Sequence, residues 1–171
     1  ADLIQWRDVG VVLDPGTIGE PECPQMFLLG GRWYLLASIY DGGVGRPVYW
    51  RSESPLGPWK TEPDGCLDGK DLCAAQTAFD GKTPVLFGWI PLKPASPGKQ
   101  TWGGHLALPR EMHALPNGQL ATRLPAKLTH RFDAMAWQRD ATAGGCLMAK
   151  FTLTPPENFK ESRIRFAPLG E

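Results

Sequence analysis

The chain has 171 residues, of which 18 are basic and 18 acidic, so its formal net charge is zero. That balance argues against a nucleic-acid surface, which needs a basic excess, and no apolar run reaches the ~18–20 residues of a membrane-spanning helix. Twenty glycines and 17 prolines are well above the usual ~12% for the pair and demand many turns, while 42% apolar residues and seven tryptophans exclude a disordered chain and supply a core. A compact, turn-rich, all-β chain remains.

Ala1-Asp2-Leu3-Ile4-Gln5-Trp6 opens inside an apolar pattern, with no initiator Met, no basic n-region and no apolar h-region. The alternating stretch Ser162 to Pro168 stops abruptly, and both ends read as cuts in a longer pattern. Met26 to Leu29 and Arg32 to Ser38 flank Gly30-Gly31, a pair suited to positive φ, and predict a hairpin. Pro47 to Ser52 predicts a third strand, closed by the Pro- and Gly-bearing segment Ser54 to Trp59. Cys73 to Phe79 and Thr83 to Ile90 flank Asp80-Gly81-Lys82, a second hairpin. A single strand from His105 to Leu115 then meets Gln119 to Thr122 across Pro116-Asn117-Gly118. Trp6, Trp33, Trp50 and Trp59 lie in or beside these strands and read as core. From about residue 126 the character changes: a short stretch of helical composition is followed by a turn-rich segment, and Cys146 to Leu153 and Arg163 to Phe166 read as strands. Hairpins every ~40–50 residues suit the blades of a β-propeller, and a sandwich would use the same strands and turns equally well.

The four cysteines, at 23, 66, 73 and 146, form no C-x-x-C pair. They read as buried or free thiols, with a single bridge between Cys66 and Cys73, near enough in sequence to close a loop, as the alternative. His105, His113 and His130 fit no metal motif, so neither a metal nor a cofactor is expected. The densest chemistry is Gly19-Glu20-Pro21-Glu22-Cys23-Pro24-Gln25, where a carboxylate stands between two prolines just before an apolar strand. Proline fixes its own φ and biases the preceding residue toward extended backbone. Glu22 is thereby aimed by a stiffened chain, as a general acid must be, though a plain loop glutamate in a Pro-rich turn has the same signature.

Glu22-Cys23-Pro24 followed by a strand and a Gly-bearing turn resembles the Glu-Cys-Pro motif of glycoside hydrolase family 32, the invertases, levanases and related fructosidases. Three further segments are similar to that family in the right order. These are Asp2-Leu3-Ile4-Gln5-Trp6, Asp71-Leu72-Cys73-Ala74 leading to Gly88-Trp89, and Trp102-Gly103-Gly104 through Leu108-Pro109-Arg110-Glu111. The resemblance covers residues 2–125 and implies an all-β fold: the later blades of a five-bladed propeller over 1–125, then a linker and the first strands of a C-terminal β-sandwich over 126–171. It implies retaining hydrolysis of O-glycosidic bonds, β-fructosides above all, with Glu22 as acid/base. Cys23, Asp71, Trp89 and Trp102 would border the sugar; packing between blades is the alternative for both tryptophans. It further implies a secreted or periplasmic protein with a carbohydrate substrate and no cofactor, while charge balance and the short apolar runs are what exclude a nucleic-acid partner and a membrane span.

Departures from the family accompany the likeness. The Asn-Asp-Pro segment of the family's nucleophile and its Arg-Asp-Pro segment are both absent, and Asp14-Pro15-Gly16 follows Leu13 and reads as a plain turn. Gln25 stands where the family has Asp, and Cys73 where it has Tyr. With one carboxylate of the pair missing, no covalent intermediate can form, so the 171 residues alone are expected to be inactive. Unclosed blades are also expected to associate through exposed strand edges. The rival readings are a non-catalytic carbohydrate-binding or scaffold propeller, and one subunit of a split glycosidase.

Overall fold

The computed structural model describes residues 2–16, 20–41, 44–92 and 103–129, without the side chains of residues 20, 41, 44, 62–66 and 129. The chain divides into two compact units, Ala1–Ala126 and Lys127–Glu171. Nearly everything described belongs to the first. Trp102, His130, Cys146 and the two strands expected after residue 145 lie outside the described residues.

The first unit is all-β and antiparallel. β1 (Glu20–Leu29), β2 (Arg32–Asp41), β3 (Val44–Ser52) and β4 (Lys60–Cys66) form one sheet in sequence order. The expected Gly30-Gly31 turn joins β1 to β2, with φ of 58° and 78°. Two successive positive φ values match the right-handed twist of the strands they connect, and glycine adopts them at little steric cost. The strands run longer than their apolar cores suggest, and β4, read only as a closing segment, pairs along β3.

The second sheet contains β5 (Cys73–Phe79), β6 (Pro84–Pro91), β7 (Gly104–Leu106), β8 (Arg110–Ala114) and β9 (Leu120–Arg123). Asp80 closes its first hairpin: its Oδ1 accepts the N–H groups of Lys82 at 2.9 Å and Thr83 at 3.1 Å. The single strand expected over residues 105–115 is broken. β7 pairs with the far half of β6 and β8 with its near half, both on the edge opposite β5. Pro109 has no N–H to give a ladder, and the Ala107 N–H donates to Gly88 O at 2.9 Å across the gap. The two pieces act as one interrupted strand, so the second sheet, like the first, is a four-step meander. A helical turn, α1 (Ala126–Thr129), follows β9.

Strand alternation places the core. Tyr34 and Leu36 of β2 and Tyr49 of β3 point to one side and pack with Leu72, Ala75, Leu86, Met112 and Leu120 of the second sheet and the loop before it. Leu35, Ala37, Ile39, Val48 and Trp50 point to the other side, where Val12, Leu13 and Trp59 cover them. β2 is therefore buried on both faces and reads as an almost continuous apolar run. Trp50 and Trp59 join this packing as expected, but Trp6 does not. It is 82% exposed, its indole N–H donating only to Leu3 O at 3.2 Å. Residues 2–16 form no strand, so no facing strand covers that ring.

Polar contacts join the sheets at one end. The Tyr34 hydroxyl donates to Gly118 O at 2.9 Å, Leu120 N–H donates to the Tyr49 hydroxyl at 3.2 Å, and Arg51 donates to Asn117 O at 2.6 Å. All three grip the β8–β9 turn, whose Gly118 has φ of 85°. Candidate site residues lie at the opposite end.

Candidate functional site

Glu22 sits on β1 immediately before a break in register. It pairs with Ser38, and the ladder resumes only at Gln25 opposite Leu36. Between them Cys23 takes a φ of 52°, a left-handed conformation that costs a non-glycine residue about 1 kcal/mol or more. Such a bulge bends a strand and re-aims its side chains. Glu22 is left exposed at the rim of the sheet.

β5 repeats the device. Its ladder with β6 breaks between Cys73, opposite Trp89, and Gln76, opposite Phe87, and Ala74 takes a φ of 48°. Cys73 thus holds in the second sheet the place that Glu22 holds in the first, with a glutamine three residues on in each case. Turned out of the β6 ladder, the Ala75 N–H donates to Ser38 Oγ at 3.0 Å. Ser38 is itself the register partner of Glu22. The two bulges therefore meet.

Charge places the same residues together. The Cys73 thiol is pushed above its ordinary value, first by burial, then by the neighbouring carboxylates of Asp71 and Glu22. An acid that would become an anion beside two anions holds its proton longer. Asp71 lies in the loop before β5 with φ of 74°, and its N–H donates to Gly45 O at 2.7 Å on β3. Cys73 packs so closely on Gly45 that a methyl group there would overlap its Sγ. Glu22, Asp71 and Cys73 are thus brought together from β1, the β4–β5 loop and β5.

The remaining expected residues divide. Trp89 stands across the ladder from Cys73 and also opposite Leu106 on β7, with its indole lying over Gly104, where a Cβ would strike Nε1. It is 40% exposed, open enough to offer a ring face to a sugar. Cys23 contributes by backbone: its carbonyl accepts the Gln76 amide N–H at 3.0 Å, and its thiol is free and exposed. Cys73 is also a free thiol, so the bridge to Cys66 is not formed. Trp102 lies outside the described residues. Among those described, no group of three His, Cys, Asp or Glu side chains could hold a metal.

Sequence reasoning did not anticipate Gln25, Gln76 and Ser38 as partners across the sheets. The available signal was the glutamine at the third position after both Glu22 and Cys73. An apolar cavity of about 180 Å³, lined by residues such as Val12, Leu13, Pro24 and Trp50, lies on the opposite face of the first sheet and includes none of the candidate residues.

No protein-family model matches the sequence. Among solved structures, the chain is similar to a β-fructofuranosidase of glycoside hydrolase family 32 from Bombyx mori. Identity is 25% and the TM-score 0.60, over 75% of this chain and 31% of that one. A mutant of the same Bombyx mori enzyme in complex with sucrose matches at 23% identity and a TM-score of 0.59, over the same shares of the two chains. The family 32 likeness of the motifs is thus matched by a likeness of fold, and this chain spans about a third of the length of the enzyme it resembles.

Proposed function

We propose that the described unit is the acid/base-bearing part of a retaining glycosidase of the family 32 kind, acting on β-fructosides. Residues 1–125 are its later propeller blades, and residues 126–171 lead into a sandwich. The observation that carries this reading is the meeting of two matched bulges that place Glu22, Asp71 and Cys73 together at one end of adjacent sheets. A pair of four-step meanders with a polar cluster where their bulged strands meet is the arrangement a propeller uses to build a central site.

Within that site Glu22 protonates the leaving glycosidic oxygen and then takes a proton from the attacking water. The Cys23 bulge and the flanking prolines hold it in aim. Asp71 accepts hydrogen bonds from sugar hydroxyls, and Trp89 offers its exposed ring. Cys73, its thiol pushed up first by burial and then by the neighbouring carboxylates, presents a small neutral wall where the family has a phenol. Retention requires a second carboxylate about 5–5.5 Å away. The Asn-Asp-Pro segment that would carry it is absent from these 171 residues, so the nucleophile comes from chain outside them.

The test is fructose release from sucrose, inulin and levan by the complete gene product and by its Glu22→Gln variant. A general acid contributes about 10²–10⁴-fold, so Glu22→Gln should lose at least 100-fold. The loss should shrink on an aryl fructoside whose leaving group needs no proton. A complete product without glycosidase activity would support the carbohydrate-binding alternative. An active Glu22→Gln variant would remove Glu22 from the chemistry.

A further inference from the structure

The two sheets are not held together at the site by apolar contact alone. Gln25, half-buried on β1, uses its whole amide on one residue of β5: Oε1 accepts the Thr77 N–H at 2.6 Å and the Thr77 hydroxyl at 2.9 Å, while Nε2 donates to Thr77 O at 3.0 Å. β6 pairs with one edge of β5, and among the described residues no strand lies on its other edge in the sheet order. The Gln25 amide thus supplies to Thr77 the donor and acceptor that a neighbouring strand would supply. A carboxylate could not do this, because it has no proton to give Thr77 O. The glutamine in place of the family's Asp therefore has a definite structural partner.

Gln76 makes the return contact. It stands at the position on β5 that matches Gln25 on β1, and its Nε2 donates at 3.0 Å to the carbonyl of Cys23. Cys23 is the positive-φ residue next to Glu22. Each bulge is thus tied to the other strand by the glutamine three residues beyond the bulge's first residue. The tie from Gln76 falls on the Cys23–Pro24 peptide, one peptide beyond Glu22, and so holds the bulge on which the Glu22 side chain stands.

We propose that Gln25 and Gln76 are positioning residues, whose reciprocal amide bonds lock the two bulges in register and fix the Glu22 carboxylate beside Asp71 and Cys73. The assignment deepens the reading of Glu22 as acid/base and rests on it for its functional meaning. Its physical content, the placement of a carboxylate, can be measured without any activity.

The probe is the Cys73 thiol in the intact chain. Its iodoacetamide alkylation is followed against pH by peptide mass spectrometry, so the other cysteines do not interfere. Glu22→Gln removes one of the two nearby charges, and Cys73 should then titrate lower and react roughly twofold faster near pH 8.5. Gln76→Met and Gln25→Met are neutral and of similar length, and they remove the amide bonds without adding charge. In either background the Glu22→Gln effect should shrink toward nothing, because the carboxylate no longer stays beside the thiol. Tyr34→Phe, which loosens the same two sheets at their other end, should leave the effect at full size.

A full Glu22→Gln effect in both methionine backgrounds would overturn the proposal, and so would its loss in Tyr34→Phe. Gln25→Met is the variant at risk of misfolding; Gln76 is exposed, and Gln76→Met then carries the test alone. Inactivity of the complete product would sink the glycosidase reading and leave the thiol result standing. An active enzyme with an unmoved thiol would do the reverse.

Discussion

Gly45→Ala tests the closeness of β3 and β5 on which the candidate site depends. An alanine Cβ at this position would overlap the Cys73 Sγ, yet would stand at an ordinary 3.5 Å from the Cys73 Cβ and 3.7 Å from Tyr40 Cδ2. The conflict is therefore with one atom. Gly45 is buried and its carbonyl holds the Asp71 N–H, so the strand cannot easily swing away. Overpacking of this kind costs about 1–3 kcal/mol. At a urea slope of about 1–3 kcal/mol per M, a loss of 2 kcal/mol lowers the unfolding midpoint by about 0.7–2 M. Cys73→Ala alone removes one half-buried sulfur and should cost less than about 1 kcal/mol. In the double variant the new methyl occupies the space that the sulfur leaves. Its destabilisation should therefore fall short of the sum of the singles by about 1–2 kcal/mol. Equilibrium urea unfolding of the four proteins, followed by tryptophan fluorescence and far-UV circular dichroism, gives the cycle. Additivity within about 0.5 kcal/mol would refute the placement of Cys73 against Gly45, and with it the proximity of Asp71 and Cys73 to the first sheet.

Gly104→Ala should push the Trp89 indole off β7, because its Cβ would strike both Nε1 and the Ile90 carbonyl; the resulting change in tryptophan emission should vanish in a Trp89→Phe background. Met112 is fully buried between the sheets, so Met112→Ala should cost about 2–5 kcal/mol in urea unfolding, whereas a change below about 1 kcal/mol would contradict that packing. The raised Cys73 thiol predicts a loss of stability on the alkaline side. The unfolded thiol ionises first, so stability present below its ordinary value of 9.0 declines as pH rises through the folded value; Cys73→Ala should flatten that limb of the stability–pH curve. Asp80 shows the opposite sign, since bonds from Thr83 and Lys82 lower its value below the ordinary 3.8. Stability that it contributes is present above 3.8 and lost as pH falls through the folded value, and Asp80→Ala should remove that acid-side dependence.

Much of the fold is legible in the sequence because its turns are written locally. Gly30-Gly31 and Asp80-Gly81-Lys82 each encode a backbone reversal that few other residues would allow, and the strands on either side follow. β4 is less legible: Lys60–Cys66 contains Pro63 and Gly65 and no apolar alternation, so only its pairing with β3 makes it a strand. Trp6 misleads for the converse reason, since an aromatic beside apolar residues reads as core whether or not another layer covers it. Of the candidate site, Glu22, Asp71 and Trp89 can be picked out through motif likeness, but the sequence does not show what holds them together.

The local chemistry of the chain dictates an antiparallel all-β architecture, the hairpin positions, and a carboxylate stiffened between Pro21 and Pro24, because these depend on residues within a few positions of one another. The likeness to family 32 is carried by the same short segments. Proximity across the fold is another matter. Gln25 meets Thr77 and Gln76 meets Cys23 across more than 50 positions, and Ser38 reaches Ala75 across 37. No propensity or periodicity contains such pairings, because they exist only once two sheets have packed face to face. That packing turns two glutamines and a serine into the supports of a site, and brings a thiol within reach of the field of two carboxylates.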